Sequence, residues 1–212
     1  MSHLLSDDQV VAAYLELRHR VVQLLRTLDD EQVRLVVPAC PNWTVAEVAA
    51  HIVGVPEDIV AGRMEGVTTE AWTQTQVERH RGASANELAD RLERTAEAFD
   101  AILPHIPAPV NSQMVMDAVT HEFDLRSALG NGEYRESKAV EVAIGWLLES
   151  ASAKNANLAA SLSESDLGRY DLLRSLTGRR TLDQIAALGL DAKGIAQLVA
   201  GSPLRIPDSP VE

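Results

Sequence analysis

CPNWTVAEVAAHI, residues 40–52 of a 212-residue chain, contains a helix start followed by an apolar helical face. Thr44 stands three residues before Glu47. Its hydroxyl can accept from an early orphan N–H while the Glu47 carboxylate reaches back to the N–H of Thr44 itself. Behind that cap Val48, Ile52, Val55 and Ile59 recur at helical spacing. The same pairing of a hydroxyl with Glu or Gln three residues on occurs at Ser6 with Gln9, Ser84 with Glu87 and Thr181 with Gln184. Period-two runs of Val, Ile or Thr are few, so the expectation is an all-α chain. Helices are expected over 7–28, 45–63, 85–103 and 112–129, the last stopped by Gly130, Asn131 and Gly132. Four helices of similar length suggest a bundle.

The stretch from Val67 to Gly82 is polar and reads as a long connection with room for one short helix. Pro56 lacks a backbone donor and is expected to kink or break the second helix near Gly54. Beyond Gly132 a fifth helix is expected over 137–162, followed by shorter ones over 166–176, 182–188 and 192–200, with LRIPDSPVE extended at the end. The expected division is a bundle over 1–130 and a smaller helical part over 131–212.

Composition narrows the function. Hydrophobic residues make up 46% and charged residues 24%, ordinary for a globular domain. The formal net charge is -12, which repels phosphate backbones and anionic membranes, so neither nucleic acid nor a membrane is an expected partner. Cys40 is the single cysteine and cannot form an internal disulfide. The start MSHLLSDDQ has neither the basic nor the apolar region of a signal peptide, and a cytoplasmic protein is expected.

Two of the six histidines fall on inward helix faces. Met114, Ala118, His121, Leu125 and Ala128 share one stripe, and Asp117 precedes His121 by one turn. His51 flanks the stripe of Val48, Ile52 and Val55. A buried imidazole must find partners for its nitrogens. Two imidazoles and a carboxylate from neighbouring helices suit a divalent ion with an open coordination position. From the residues alone the metal site is not settled, because a carboxylate four residues before a histidine is often a local ion pair and a single inward histidine is usually an ordinary hydrogen-bonded core residue. Asp124, one turn beyond His121, is either an acceptor orienting that imidazole or a solvated acid. Cys40 and Trp43 read as structural residues at the mouth of the second helix.

Three segments carry a resemblance. CPNWTVAEVAAHI resembles the C-x-x-W-T-x-x-x-(V/L)-x-x-H signature of the mycothiol-dependent maleylpyruvate isomerase family, a branch of the DinB-like metal-binding four-helix bundles. MDAVTHEFDLRSALG, residues 116–130, resembles that family's acid-x-x-x-H-x-x-D-x-x-x-A-L-G segment. LLRSLTGRRTLDQIAAL, residues 172–188, resembles its R-x-L-(S/T)-G-R tail. The resemblance implies metal ligands at His51, Asp117 and His121, and Arg179 as the arginine that meets a substrate carboxylate. The family often has Glu where this chain has Asp117, and the side chain shorter by one methylene needs a closer helix.

The implied chemistry is an isomerase or thiol transferase that uses a divalent metal, zinc first among them, with mycothiol as thiol cosubstrate and a small electrophilic acid of the maleylpyruvate type. One alternative is a DinB-like metal-binding protein without turnover, acting in stress response or ligand binding. Another is a helix-turn-helix regulator formed by TLDQIAALGLDAKGIAQLVAG, whose second helix offers only Lys193 to a phosphate. The sequence leaves monomer and homodimer both open.

Overall fold

The expected caps form. In the computed structural model, which describes residues 2–200, 202 and 204–211, Thr44 Oγ1 accepts from the Glu47 N–H while Glu47 Oε2 accepts from the Thr44 N–H at 2.7 Å. Ser84 with Glu87 and Thr181 with Gln184 close the same reciprocal box. Gln9 Oε1 accepts from the Ser6 N–H at 3.2 Å. The helices are α1 (Asp7–Arg26), α2 (Val45–Val60), α3 (Glu70–Arg79), α4 (Ala85–Ile102), α5 (Val110–Ala128), α6 (Lys138–Lys154), α7 (Ala156–Ser163), α8 (Arg169–Leu176), α9 (Leu182–Ala187) and α10 (Ala192–Val199). The all-α class read from the periodicity is the class the chain adopts. No helix among the described residues is long and apolar enough to cross a membrane.

Three local expectations are corrected. A short antiparallel ribbon, β1 (Val36–Val37) with β2 (Cys40–Thr44), leads into α2; its strands are too short to show a period. The break expected near Gly54 does not occur, since α2 continues past Pro56 to Val60, where packing against α3 and α4 outweighs the one backbone bond that proline removes. The helix expected over 137–162 is two helices. Asn155 is extended at φ -153° and ψ 91°, and its Oδ1 accepts from the Leu158 N–H at 3.1 Å. That side-chain bond competes with the helical ladder and starts α7 afresh.

The chain forms two compact units, one of Met1–Ala13, Ala108–Thr120 and Glu133–Glu212, the other of Tyr14–Pro107 and His121–Gly132. In the first, α6 packs on α7 and α8, and Gly145 admits the backbone so closely that a Cβ there would lie 2.5 Å from the His3 carbonyl oxygen. In the second, α2 packs on α3 and α4, burying Val45, Val48, Ala49, Val53, Leu88, Ala89 and Leu92. The Tyr14 and Phe99 rings meet with centroids 5.1 Å apart. Glu122 is fully buried in this unit and binds two arginines. Arg20 donates to it through Nε at 3.0 Å and Nη2 at 2.8 Å, and Arg126 donates through Nε at 3.0 Å.

The Thr44 cap fixes where α2 begins and therefore where His51 falls on its turn. Thr44→Ala is expected to destabilise the chain by about 1 kcal/mol, the usual cost of a lost N-cap, measurable as a lower urea midpoint at unchanged slope.

Candidate metal centre

The ribbon delivers Trp43 and Thr44 to the head of α2, and two turns later α2 carries His51, only 4% exposed. α5 carries His121, half-buried, on the stripe of Ala118 and Leu125. The two imidazoles stand edge to face, centroids 5.0 Å apart with an interplanar angle of 89°. Trp43 lies beside both, its ring 5.9 Å from His51 and 6.4 Å from His121. Asp117 rides on α5 one turn ahead of His121, the spacing that puts two side chains on one face.

Both rings are held from behind by Nδ1. His121 Nδ1 donates to Asp124 Oδ2 at 3.0 Å; a carboxylate only accepts, so this nitrogen carries the proton. Asp124 is fully buried, and its Oδ2 also accepts from Cys40 Sγ at 3.7 Å. Of the two readings of Asp124, the solvated acid is excluded by that burial. His51 Nδ1 lies 2.7 Å from Gln76 Oε1. Gln76 Nε2 in turn donates to Asp58 Oδ2 at 2.8 Å. The Asp58 carboxylate is fixed by Arg63 Nε at 2.6 Å and Arg79 Nη2 at 2.8 Å, both on Oδ1. Gln76 and Asp58 are both fully buried. With the proton on Nδ1 of each ring, the lone pair lies on Nε2, the form in which histidine ligates a metal.

Two sets of three side chains hold potential ligand atoms within 4.8 Å of one another: Cys40 with His121 and Asp124, and His51 with Asp117 and His121. Both sets draw on His121. The first includes Asp124, whose Oδ2 already accepts from His121 Nδ1; the second does not draw on Asp124. Two imidazoles and a carboxylate are the donor chemistry of a catalytic zinc site with an open position, and the anchored rings fit that use.

Gln76 and Asp58 carry no signal in the sequence, since one sits in a polar connection and the other at the polar end of α2. Gly54 gives a retrospective one. A Cβ at Gly54 would lie 2.5 Å from Gln76 Cβ and 2.7 Å from its Cγ, so only glycine lets α3 bring Gln76 down to His51. Gly54→Ala is therefore expected to cost about 1–3 kcal/mol as overpacking and to weaken metal retention together with stability. Calorimetry with and without zinc measures both.

Arg179 is 7% exposed, and its Nη1 donates to the Thr177 carbonyl at 2.6 Å. Gly178 between them has φ +74°, and a Cβ there would collide with the Arg205 carbonyl oxygen. The Arg179 backbone is thus built into a tight turn after α8. The described residues form clefts of about 360 and 320 Å³ among others, the first lined by His3, Ile144 and Arg169, the second by Glu57, Arg63 and Arg91. Neither is lined by His51 or His121.

Residues 14–126 match the family described as the mycothiol maleylpyruvate isomerase N-terminal domain. No curated protein and no solved structure matches the chain.

Proposed function

Because the chain belongs to the mycothiol maleylpyruvate isomerase N-terminal domain family, with its all-α DinB-like fold, we propose that it is a metal- and thiol-dependent isomerase or thiol transferase. The proposed substrate is a small electrophilic acid of the maleylpyruvate type, with mycothiol as the thiol and the cytoplasm as the place of action. The observation that carries the reading is the pair of imidazoles at 5.0 Å, each with Nδ1 tied to a buried acceptor. Fixed rings presenting the same nitrogen serve a shared cation better than they serve an ordinary core.

In this reading His51, Asp117 and His121 hold the ion, zinc first among candidates. Gln76 and Asp124 keep the two rings from rotating and from changing tautomer. Trp43 covers the imidazoles on one side and reduces access of water to them. When bound, a divalent cation supplies the positive charge that ionises a thiol near neutral pH. The thiol sulfur then bonds to one carbon of the activated cis double bond, the remaining single bond rotates, and loss of the thiol gives the trans isomer. If the adduct is instead released, the product is a thioether. Arg179 is the proposed partner of the substrate carboxylate, on the match of its LTGR context to the family tail.

The test is turnover of maleylpyruvate with mycothiol, or a simpler aminothiol, before and after removal of divalent ions with a chelator. Conversion is expected only when thiol and metal are both present. Full isomerisation in the absence of any thiol would contradict the mechanism.

A further inference from the structure

We infer that Asp58 sets the tautomer of His51 through Gln76, making Gln76 and Asp58 positioning residues that decide whether this imidazole can take a cation. The inference deepens the metal reading and rests on it. An amide can be read either way round, but here the network orients it. Asp58 is an acceptor pinned on Oδ1 by Arg63 and Arg79, so its Oδ2 must receive a proton, and Gln76 Nε2 gives it at 2.8 Å. That turns Gln76 Oε1 toward His51, where it accepts the Nδ1 proton at 2.7 Å. A charge two hydrogen bonds from the imidazole thus places the lone pair on Nε2. All three side chains are at most 4% exposed, so water competes little for these bonds and the orientation of one amide fixes the polarity of the chain. Gly54 supports the assignment independently, since the close approach of Gln76 to α2 excludes any side chain there.

The arrangement makes a specific demand on substitutions. Asp58→Asn keeps Oδ1 for the two arginines and turns an N–H toward Gln76. Gln76 must then reverse, offering N–H to His51 Nδ1, and the ring must move its proton to Nε2. Adding Gln76→Glu to Asp58→Asn restores the original polarity at unchanged net charge: the new carboxylate accepts from the residue 58 amide on one side and from His51 Nδ1 on the other. A purely structural role predicts that two substitutions in one buried network are worse than one. The relay predicts that the second repairs the first.

The experiment uses metal-stripped full-length protein labelled with ¹⁵N-histidine, the His51 signal being assigned by its loss in His51→Ala. Two-bond ¹H–¹⁵N spectra at neutral pH report which nitrogen bears the proton, and zinc titration against a competing chelator gives the affinity. Wild type is expected to show the Nδ1–H form. Asp58→Asn is expected to show the Nε2–H form with zinc affinity lower by about tenfold to hundredfold, and the double variant the Nδ1–H form with affinity within a few-fold of wild type. Should Asp58→Asn fail to fold, Gln76→Met, which keeps the volume and removes the acceptor, is expected to give a similar loss and a mixture of tautomers. A wild-type Nε2–H form, an unchanged tautomer and affinity in the single variants, or a double variant no better than Asp58→Asn would overturn the relay. A wild-type protein that shows the Nδ1–H form and takes up no zinc would leave the relay standing and remove the metal reading instead.

Discussion

His51→Ala and His121→Ala proteins are expected to come through purification and dialysis against zinc with no stoichiometric metal, where the wild type keeps about one ion per chain. Each substitution removes one of the three proposed ligands and leaves a carboxylate with a single imidazole, too few donors to hold zinc against dialysis. Their rings stand 5.0 Å apart, so neither loss can be covered by the other. Two companions sharpen the result. Cys40→Ala is expected to keep its metal, because Cys40 belongs to the competing set that shares only His121 with the favoured one. Asp124→Asn is expected to keep the fold and bind metal more weakly, since it replaces a charged group that can only accept from His121 Nδ1 with a neutral amide that can also present an N–H there. Elemental analysis of the four proteins decides the matter: metal contents equal to wild type in both histidine variants would remove the site altogether.

The largest effect on stability is expected at Glu122. This carboxylate is 0% exposed and is the shared acceptor of Arg20, 9% exposed, and Arg126, 3% exposed. Arg20 grips it with two parallel N–H donors, the geometry in which an arginine–carboxylate pair is strongest. Glu122→Leu withdraws that acceptor from both guanidinium groups, a change worth about 3–5 kcal/mol when a buried pair is broken from one side. Glu122→Gln keeps one acceptor oxygen and should cost clearly less. The pair lies beside His121 on α5 and ties that helix to α1, so the same substitution should loosen the imidazole that α5 presents. Urea unfolding followed by far-UV circular dichroism measures the difference. A cost below about 1 kcal/mol, the range of an exposed ion pair, would show that the network does not hold α5.

What could be read in the sequence was local. Thr44 with Glu47, Ser84 with Glu87 and Thr181 with Gln184 announce their helices because each cap and its partner lie three residues apart, and the structure closes all three boxes. His51 and His121 stand out because a histidine on an apolar stripe needs an explanation wherever it occurs. Gln76 and Asp58 gave no such sign. Their burial is created by the packing of α3 on α2, and a glutamine in a run of threonines reads as solvent-facing until that packing is known. Asn155 was hidden for the opposite reason: the apolar spacing continues across it, while the break comes from a single side-chain bond to the Leu158 N–H. Pro56 misled by its strength as a local signal, which tertiary contacts along α2 override. Glu122 and Arg126 drew no expectation from the sequence, since charged residues ordinarily face solvent, yet both are buried with Asp124 on α5.

The account turns on which side chains take the cation, and X-ray absorption at the zinc edge of protein loaded with one equivalent measures that directly. The expected spectrum has two imidazole nitrogens with oxygen donors at about 2.0–2.2 Å and no sulfur. A sulfur shell near 2.3 Å would move the ion to Cys40, His121 and Asp124 and contradict the assignment of His51 and Asp117.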